Sequence, residues 1–543
     1  MSTDTGQPPP AVRLGWLPWV LLGLAWFATL PLRPLLDPDE GRYAEIPREM
    51  LVSGDWLTPR FDGLKYFEKP PLQYWATAAV YAGFGVSEWT SRLWGCALGF
   101  ACLPLVFAWV QRLYGRAAAL TALCALSVSP YFAVVTHLNL LDAGFTFWLS
   151  AALLAFTVGQ VAAPGSRSER DWMLGAWALA ALAVLSKGIV VAVLTGSTLV
   201  LYTLLERDTS TWRRLHLLPG LALFALIAAP WFVLVSRRNA NFAEFFFVHE
   251  HLARFLSTVH QRVEPWWFFL PLLLVAVLPW LSPCVAACRR AWQTPTAGFR
   301  PLRFLLIYAG VTLAFFSASG SKLAPYILPM LPVLAAVTGA AGPAPQQLAR
   351  RAAPVVALLA LVLAAGLLIY SARVNNFLPL VALYWAVAAI AAASAGLVCG
   401  WLTRRTAEAA ILPICAGAVL TWQCLLCEYG AIPPARSARD LVAAVRPFIG
   451  AGTPLYSVGQ FRETISPYLG RTLQLAGYEG ELQFGLREEP QLRLSSDEFA
   501  SRWSAAAEGV AFFDPGVWDQ WRRRGLPGRV LAADNYTVAV SRL

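Results

Sequence analysis

Apolar runs close to 20 residues long recur along most of the chain, separated by short charged segments. About 20 residues is what an α-helix needs to cross a hydrocarbon core roughly 30 Å thick. The pattern therefore predicts an α-helical polytopic membrane protein. The first run is Leu14–Pro31. Others begin near Arg92, Arg116, Asp142, Asp171, Gly188, Arg214, Pro265, Arg303, Pro325, Ala352, Leu378 and Glu408. The first ends in Pro-Leu-Arg-Pro with no small-residue cleavage site, so it is expected to stay as a span. The run 71–84 would be a helix of about 21 Å at 1.5 Å per residue, too short to cross, and is expected to lie on the surface.

Two stretches break the apolar pattern. Between Leu35 and Leu72 the chain is dense in charge. Arg42, Glu45, Arg48 and Glu49 fall at helical spacing, with Tyr43, Ile46, Met50 and Leu51 on the other face. That predicts an amphipathic juxtamembrane helix, bent at Pro47 and lying on the membrane surface. After Tyr429, AIPPARSARD reads as a linker. Beyond it PLYSV, VAFF and YTVAVS alternate as short strands, and Ser496–Ala507 and Pro515–Arg524 read as helices. The expected domains are a transmembrane unit over 1–428, whose first extracytoplasmic loop is 35–91, and a small soluble α/β domain over 429–543.

Composition agrees with the membrane reading. Of 543 residues 57% are apolar and 14% charged, against about 25% charged in soluble domains. The net charge of +11 would suggest nucleic acid in a soluble protein; here loops on one side of a membrane account for it, and no nucleic-acid partner is expected. Basic clusters lie at Arg112/Arg116, Arg167/Arg170, Arg207/Arg213/Arg214, Arg289/Arg290/Arg300/Arg303, Arg350/Arg351 and Arg404/Arg405. Placing all of them inside fixes each crossing and predicts about 13 spans, a cytoplasmic N-terminus and an extracytoplasmic C-terminal domain. None of the nine Cys lies in that domain, so no disulfide framework is expected.

The same parity gathers polar residues on the outer side, beside the first loop: Asp142, Lys187, His249, Arg254, Lys322 and Tyr326. Ionisable groups near a membrane core are costly and usually pair or line a cavity. Singly, each reads equally as a helix-end anchor; together, opposite Asp39, they point to a common site.

PDEGRYAEIPREML (38–51) followed by YFEKPPL (66–72) resembles the first extracytoplasmic loop of the aminoarabinose transferase group of the protein O-mannosyltransferase superfamily. SEWTSR (87–92), Asp142, Lys187, 249–255 and 322–326 extend the resemblance. Gly41 departs from it, at a place where a somewhat larger residue is expected. The resemblance implies the glycosyltransferase-C fold and a polyprenyl-phosphate-sugar donor. It implies an acceptor on the outer face of the inner membrane, with 4-amino-4-deoxy-L-arabinose moved to lipid A phosphate in the best-matching group. Such a transfer leaves negative charge on a lipid phosphate, which fixed cations stabilise. Lys69, Arg254 and Lys322 are the candidates, with Tyr326 and Arg42 in support. The resemblance implies Asp39, of the adjacent pair Asp39–Glu40, as the catalytic carboxylate and Asp142 as the second acid; Glu40, Tyr66, Glu68, Lys187 and His249 are expected to position substrate. Glu68 and His249 are also candidate ligands of a divalent metal, or a hydrogen-bonded carboxylate–imidazole pair. No other cofactor is implied. Two other functions stay open here: a mannosyl- or hexosyltransferase acting on protein or another glycan, and a lipid transporter without chemistry.

Overall fold

The computed structural model describes residues 15–253, 264–294, 298–375, 378–402, 406–432, 436–478 and 480–542. The chain opens with α1 (Trp16–Phe27), α2 (Asp39–Ser53), a hairpin of β1 (Arg60–Phe61) and β2 (Leu64–Lys65), and α3 (Leu72–Phe84). Next come α4 (Glu88–Tyr114), α5 (Arg116–Ser127), α6 (Pro130–Thr136), α7 (Leu141–Val161) and α8 (Arg167–Lys187). A capping box between Ser87 and Thr90 starts α4, closing donors that a helix N-terminus leaves open.

Among the described residues, nine helices are long and apolar enough to cross a membrane, ten if α5 and α6 count as one span bent by 66°. The bend falls where Pro130 has no N–H to give and the Ser129 hydroxyl accepts from Phe132 N at 3.3 Å. Trp16–Leu32 and Val190–Glu206 are shorter apolar helices. The chain is a multi-pass membrane protein. Every apolar run named above coincides with a helix or a bent pair. The run 71–84 forms the 13-residue α3, which is not among the helices long enough to cross. Close approach of the last two spans rests on small residues. A Cβ on Gly396 would lie 2.9 Å from the Pro413 carbonyl oxygen, so Leu380–Leu402 and Ala407–Ala431 meet backbone to backbone.

The C-terminal region folds as a five-stranded sheet of order β4-β3-β5-β7-β6. Its strands are β3 (Leu455–Val458), β4 (Gln474–Ala476), β5 (Val510–Phe513), β6 (Arg529–Ala533) and β7 (Val538–Ser541). β3 runs parallel to β4 and β5, while β7 pairs antiparallel with β5 and β6. β3 and β5 are buried along their whole length, because helices cover both faces of the sheet. The three strands read from alternation are β3, β5 and β7; β4 and β6 are additional.

The structure departs from the sequence reading at α2. The helix forms at the expected place and continues through Pro47, but Glu40 to Met50 are all buried. Its polar face is not solvated; the sheet domain and the β1–β2 hairpin cover it. Arg48 pairs with Glu45 at 2.5 Å and donates to Gly470 O at 3.1 Å. Periodicity tells which face of a helix is polar, and not whether water or a polar domain lies against it.

Candidate active site

The first turn of α2 places Asp39 and Glu40 on different faces, since neighbours in a helix are about 100° apart. Asp39 lines a narrow cavity together with Arg42, Tyr43, Glu68, Lys69, Leu140, Leu141, Asp142, Lys187, Leu323, Pro325 and Tyr326. Seven residues singled out from the sequence thus meet at one place: Asp39, Arg42, Glu68, Lys69, Asp142, Lys187 and Tyr326. The space left between them is about 40 Å³.

Ion pairs organise the walls. Arg42 donates to Asp39 at 2.8 Å, and its other arm bonds Glu481. Across the cavity Lys187 bonds Asp142 and lies 4.5 Å from the centre of the Tyr326 ring, within cation–π range. Lys69 Nζ donates to Glu68 O at 2.9 Å and stands 3.9 Å from Glu250. Several buried polar atoms near Arg42 have no hydrogen-bond partner among the described residues: Arg42 Nε, Tyr66 Oη, Tyr74 Oη and Glu481 Oε1. Buried polar groups are normally satisfied, so this set suits a polar ligand.

The remaining candidates lie beside the cavity or away from it. Tyr66 is buried, with Arg42 over its ring at 5.9 Å. Lys322 is buried and donates to Ser319 O at 2.7 Å. His249 lines a separate cleft of about 430 Å³ with Asn241, Glu244, Phe245, Phe484, Arg487 and Glu488, and its Nδ1 is 3.2 Å from Glu250. Another cleft, of about 360 Å³, sits at the linker to the sheet domain and holds none of the candidates. Arg254 lies outside the described residues. Among the described residues no group of three or more His, Cys, Asp and Glu could hold a metal ion; Glu68 lines the cavity and His249 the separate cleft.

Glu40 does not face the cavity. It is 2% exposed and accepts from Arg92 Nε at 2.7 Å and Nη2 at 2.9 Å. Asn139 N at 2.9 Å, Leu36 N at 3.0 Å and Arg33 at 3.3 Å complete its shell. Burial alone would raise this carboxyl; the Arg92 and Arg33 guanidinium groups overcome that and hold it down at about 2.

The sheet domain supplies residues that the sequence reading did not single out. Besides Glu481, Arg462 donates to Asp37 at 2.9 Å and Thr464 N to the same carboxylate at 2.8 Å. Burial, with Glu481 and Asp37 nearby, pushes the Glu463 carboxyl up to about 8. Gly41 is where this domain seats. A Cβ there would meet the Glu463 carbonyl carbon at 2.5 Å, which accounts for the small residue. The hairpin is a second anchor. Asp62 and Gly63 both have positive φ, as a type I′ turn requires. The buried Asp62 carboxylate accepts from Ser466 Oγ and Leu473 N, each at 2.8 Å. The Asp62-Gly63 pair between Phe61 and Leu64 is the sequence signal for such a turn.

Residues 27–246 match the dolichyl-phosphate-mannose-protein mannosyltransferase family, and residues 441–542 match the aminoarabinose transferase C-terminal domain. The crystal structure of ArnT from Cupriavidus metallidurans bound to undecaprenyl phosphate superposes with a TM-score of 0.87 at 32% identity, covering 97% of both chains. The chain belongs to the aminoarabinose transferase family. An undecaprenyl phosphate-α-4-amino-4-deoxy-L-arabinose arabinosyl transferase of Pseudomonas aeruginosa (strain UCBPP-PA14) is 37% identical over 333 residues, 59% of each chain. The chain thus matches about three-fifths of the length of such curated relatives. The archaeal oligosaccharyltransferase AglB from Archaeoglobus fulgidus shares the fold, with a TM-score of 0.53 at 14% identity. The sheet domain carries one of these family matches.

Proposed function

We propose that this chain moves 4-amino-4-deoxy-L-arabinose from undecaprenyl phosphate to a lipid A phosphate at the outer face of the inner membrane. The observation that carries the reading is the single cavity at which Asp39, Asp142, Lys69, Lys187 and Arg42 converge. The sugar and the lipid are those of the Pseudomonas arabinosyl transferase and of the Cupriavidus structure bound to undecaprenyl phosphate. The acidic lining also suits an aminosugar: Asp39, Glu68 and Asp142 face the cavity, and Glu481 stands behind Arg42.

In the proposed reaction an acceptor oxygen attacks the anomeric carbon, and the bond from that carbon to the donor phosphate oxygen breaks. The electron pair leaves with undecaprenyl phosphate, and a single displacement inverts the anomeric centre. An acceptor phosphate is already largely ionised near neutral pH, so Asp39 positions rather than deprotonates; for a hydroxyl acceptor it would be the general base. Lys69 neutralises the leaving phosphate, with Lys322 and Arg254 as the further cations of the proposal. The Lys187–Asp142 pair lines the same cavity. In this proposal the N-terminus is cytoplasmic and the cavity and sheet domain are periplasmic, a reading supported by the charge of the loops.

The test is mass spectrometry of lipid A from cells with and without the gene. Added mass of the aminosugar, present only with the gene, is the expected result. Unchanged lipid A together with hexose-modified protein would favour the mannosyltransferase alternative.

A further inference from the structure

We propose that the buried Glu40–Arg92 pair sets the separation of Asp39 and Asp142 across the cavity, making Arg92 a positioning residue for the transfer reaction. This rests on the roles given to the two acids above. The Glu40 carboxylate joins the segments that carry both. Along the chain it follows Asp39 directly, in the first turn of α2. Its Oε1 takes Arg92 Nε at 2.7 Å and the backbone N–H of Asn139 at 2.9 Å. Asn139 leads through Leu140 and Leu141 to Asp142, and these last three residues all line the cavity. Its Oε2 takes Arg92 Nη2 at 2.9 Å and Leu36 N at 3.0 Å.

Arg92 makes the joint rigid. It is fully buried and donates to Leu30 O at 3.2 Å, Arg33 O at 2.9 Å and Pro34 O at 2.6 Å. These carbonyls lie on the segment entering α2. From α3, Gln73 Nε2 donates to Asn139 Oδ1 at 3.1 Å and fixes the far side. A two-pronged guanidinium–carboxylate pair has a narrow geometry. Shortening either arm moves the turn holding Asp142 relative to the helix holding Asp39. Displacements near 1 Å are enough to cost about a hundredfold in rate when groups must be aligned for attack.

A merely structural role would lower the melting temperature and leave turnover per folded molecule unchanged. The test is a set of double-mutant cycles in purified, full-length protein. Glu40→Asp, Arg92→Lys, Asp142→Asn and the doubles Glu40→Asp/Asp142→Asn and Arg92→Lys/Asp142→Asn are measured for kcat, donor KM and melting temperature. Each single is expected to lower kcat by about tenfold or more with donor KM within about twofold. Each double is expected to be no more than about twofold slower than Asp142→Asn alone, because coupled residues are not additive. Doubles that fall by the product of the singles overturn the proposal, as do Glu40→Asp and Arg92→Lys variants that fold and keep wild-type kcat. If Glu40→Asp does not fold, the Arg92→Lys cycle decides. Full activity in Asp142→Asn alone overturns both the proposal and the role of Asp142. A slow Asp142→Asn with additive cycles overturns the linkage only.

Discussion

Arg42 and Glu481 form an ion pair across 439 positions of sequence, so the sheet domain reaches the wall of the cavity that Asp39 lines. Arg42 holds Asp39 with its other arm at 2.8 Å. The orientation of Asp39 is therefore shared between the two parts of the chain.

Glu481→Gln removes the charge and keeps the shape. Hydrogen bonds to charged groups are worth about 1.5–3 kcal/mol, or about 10- to 100-fold in rate. Steady-state kinetics on purified protein should show a loss in that range with the melting temperature little changed. Wild-type kinetics would mean that Arg42 holds Asp39 without help.

Gly41→Ala should loosen the seat of the sheet domain. The added Cβ would lie 2.5 Å from the Glu463 carbonyl carbon and 2.7 Å from Thr464 N, both backbone atoms that cannot swing aside. Overpacking of this kind costs about 1–3 kcal/mol. Faster proteolysis in the linker and a lower melting temperature are the expected readings. The same variant should lose transfer, because Glu481 moves with the domain.

Docking of the domain should weaken as pH rises. Burial pushes Asp62 from 3.8 up to about 8, aided by Glu45, and pushes Glu463 up to about 8. Burial also raises Glu49, beside Glu45 and Asp62, and raises Asp37 against the pull of Arg462. Acids with raised values bind more protons folded than unfolded, so their contribution is complete below the unfolded value and is lost as pH climbs through about 8. Glu40, held low by Arg92 and Arg33, acts in the opposite sense, and only below its unfolded value of 4.5. Melting temperature should therefore fall between pH 5 and about 9, and Asp62→Asn should flatten the fall. A melting temperature that rises over that interval would refute this.

The cavity residues were legible because each carries a charge or a ring where an apolar pattern should continue. Asp142, Lys187 and Tyr326 stand at ends of apolar runs, and Asp39, Arg42, Glu68 and Lys69 sit in one charged loop. Glu481 was not legible. It is one of many charges in a soluble-looking domain, and only the docking of that domain on α2 gives it a partner. Arg92 read as the start of a span, since a lone Arg at a helix end is usually an anchor; its pairing with Glu40 depends on a contact 52 residues away. The polar face of α2 reads as that of a membrane-surface helix for the same reason. β4 and β6 were missed because short strands without alternation carry little periodic signal.

The most direct measurement is transfer in vitro by wild type and Asp39→Asn, both purified and matched for folding. The donor is undecaprenyl-phosphate aminoarabinose, the acceptor lipid A, and the product is read by mass spectrometry. Wild type should form aminoarabinose-modified lipid A, and Asp39→Asn should be slower by about a hundredfold, the cost of an acceptor held about 1 Å out of position. Transfer by Asp39→Asn at close to the wild-type rate would contradict the account.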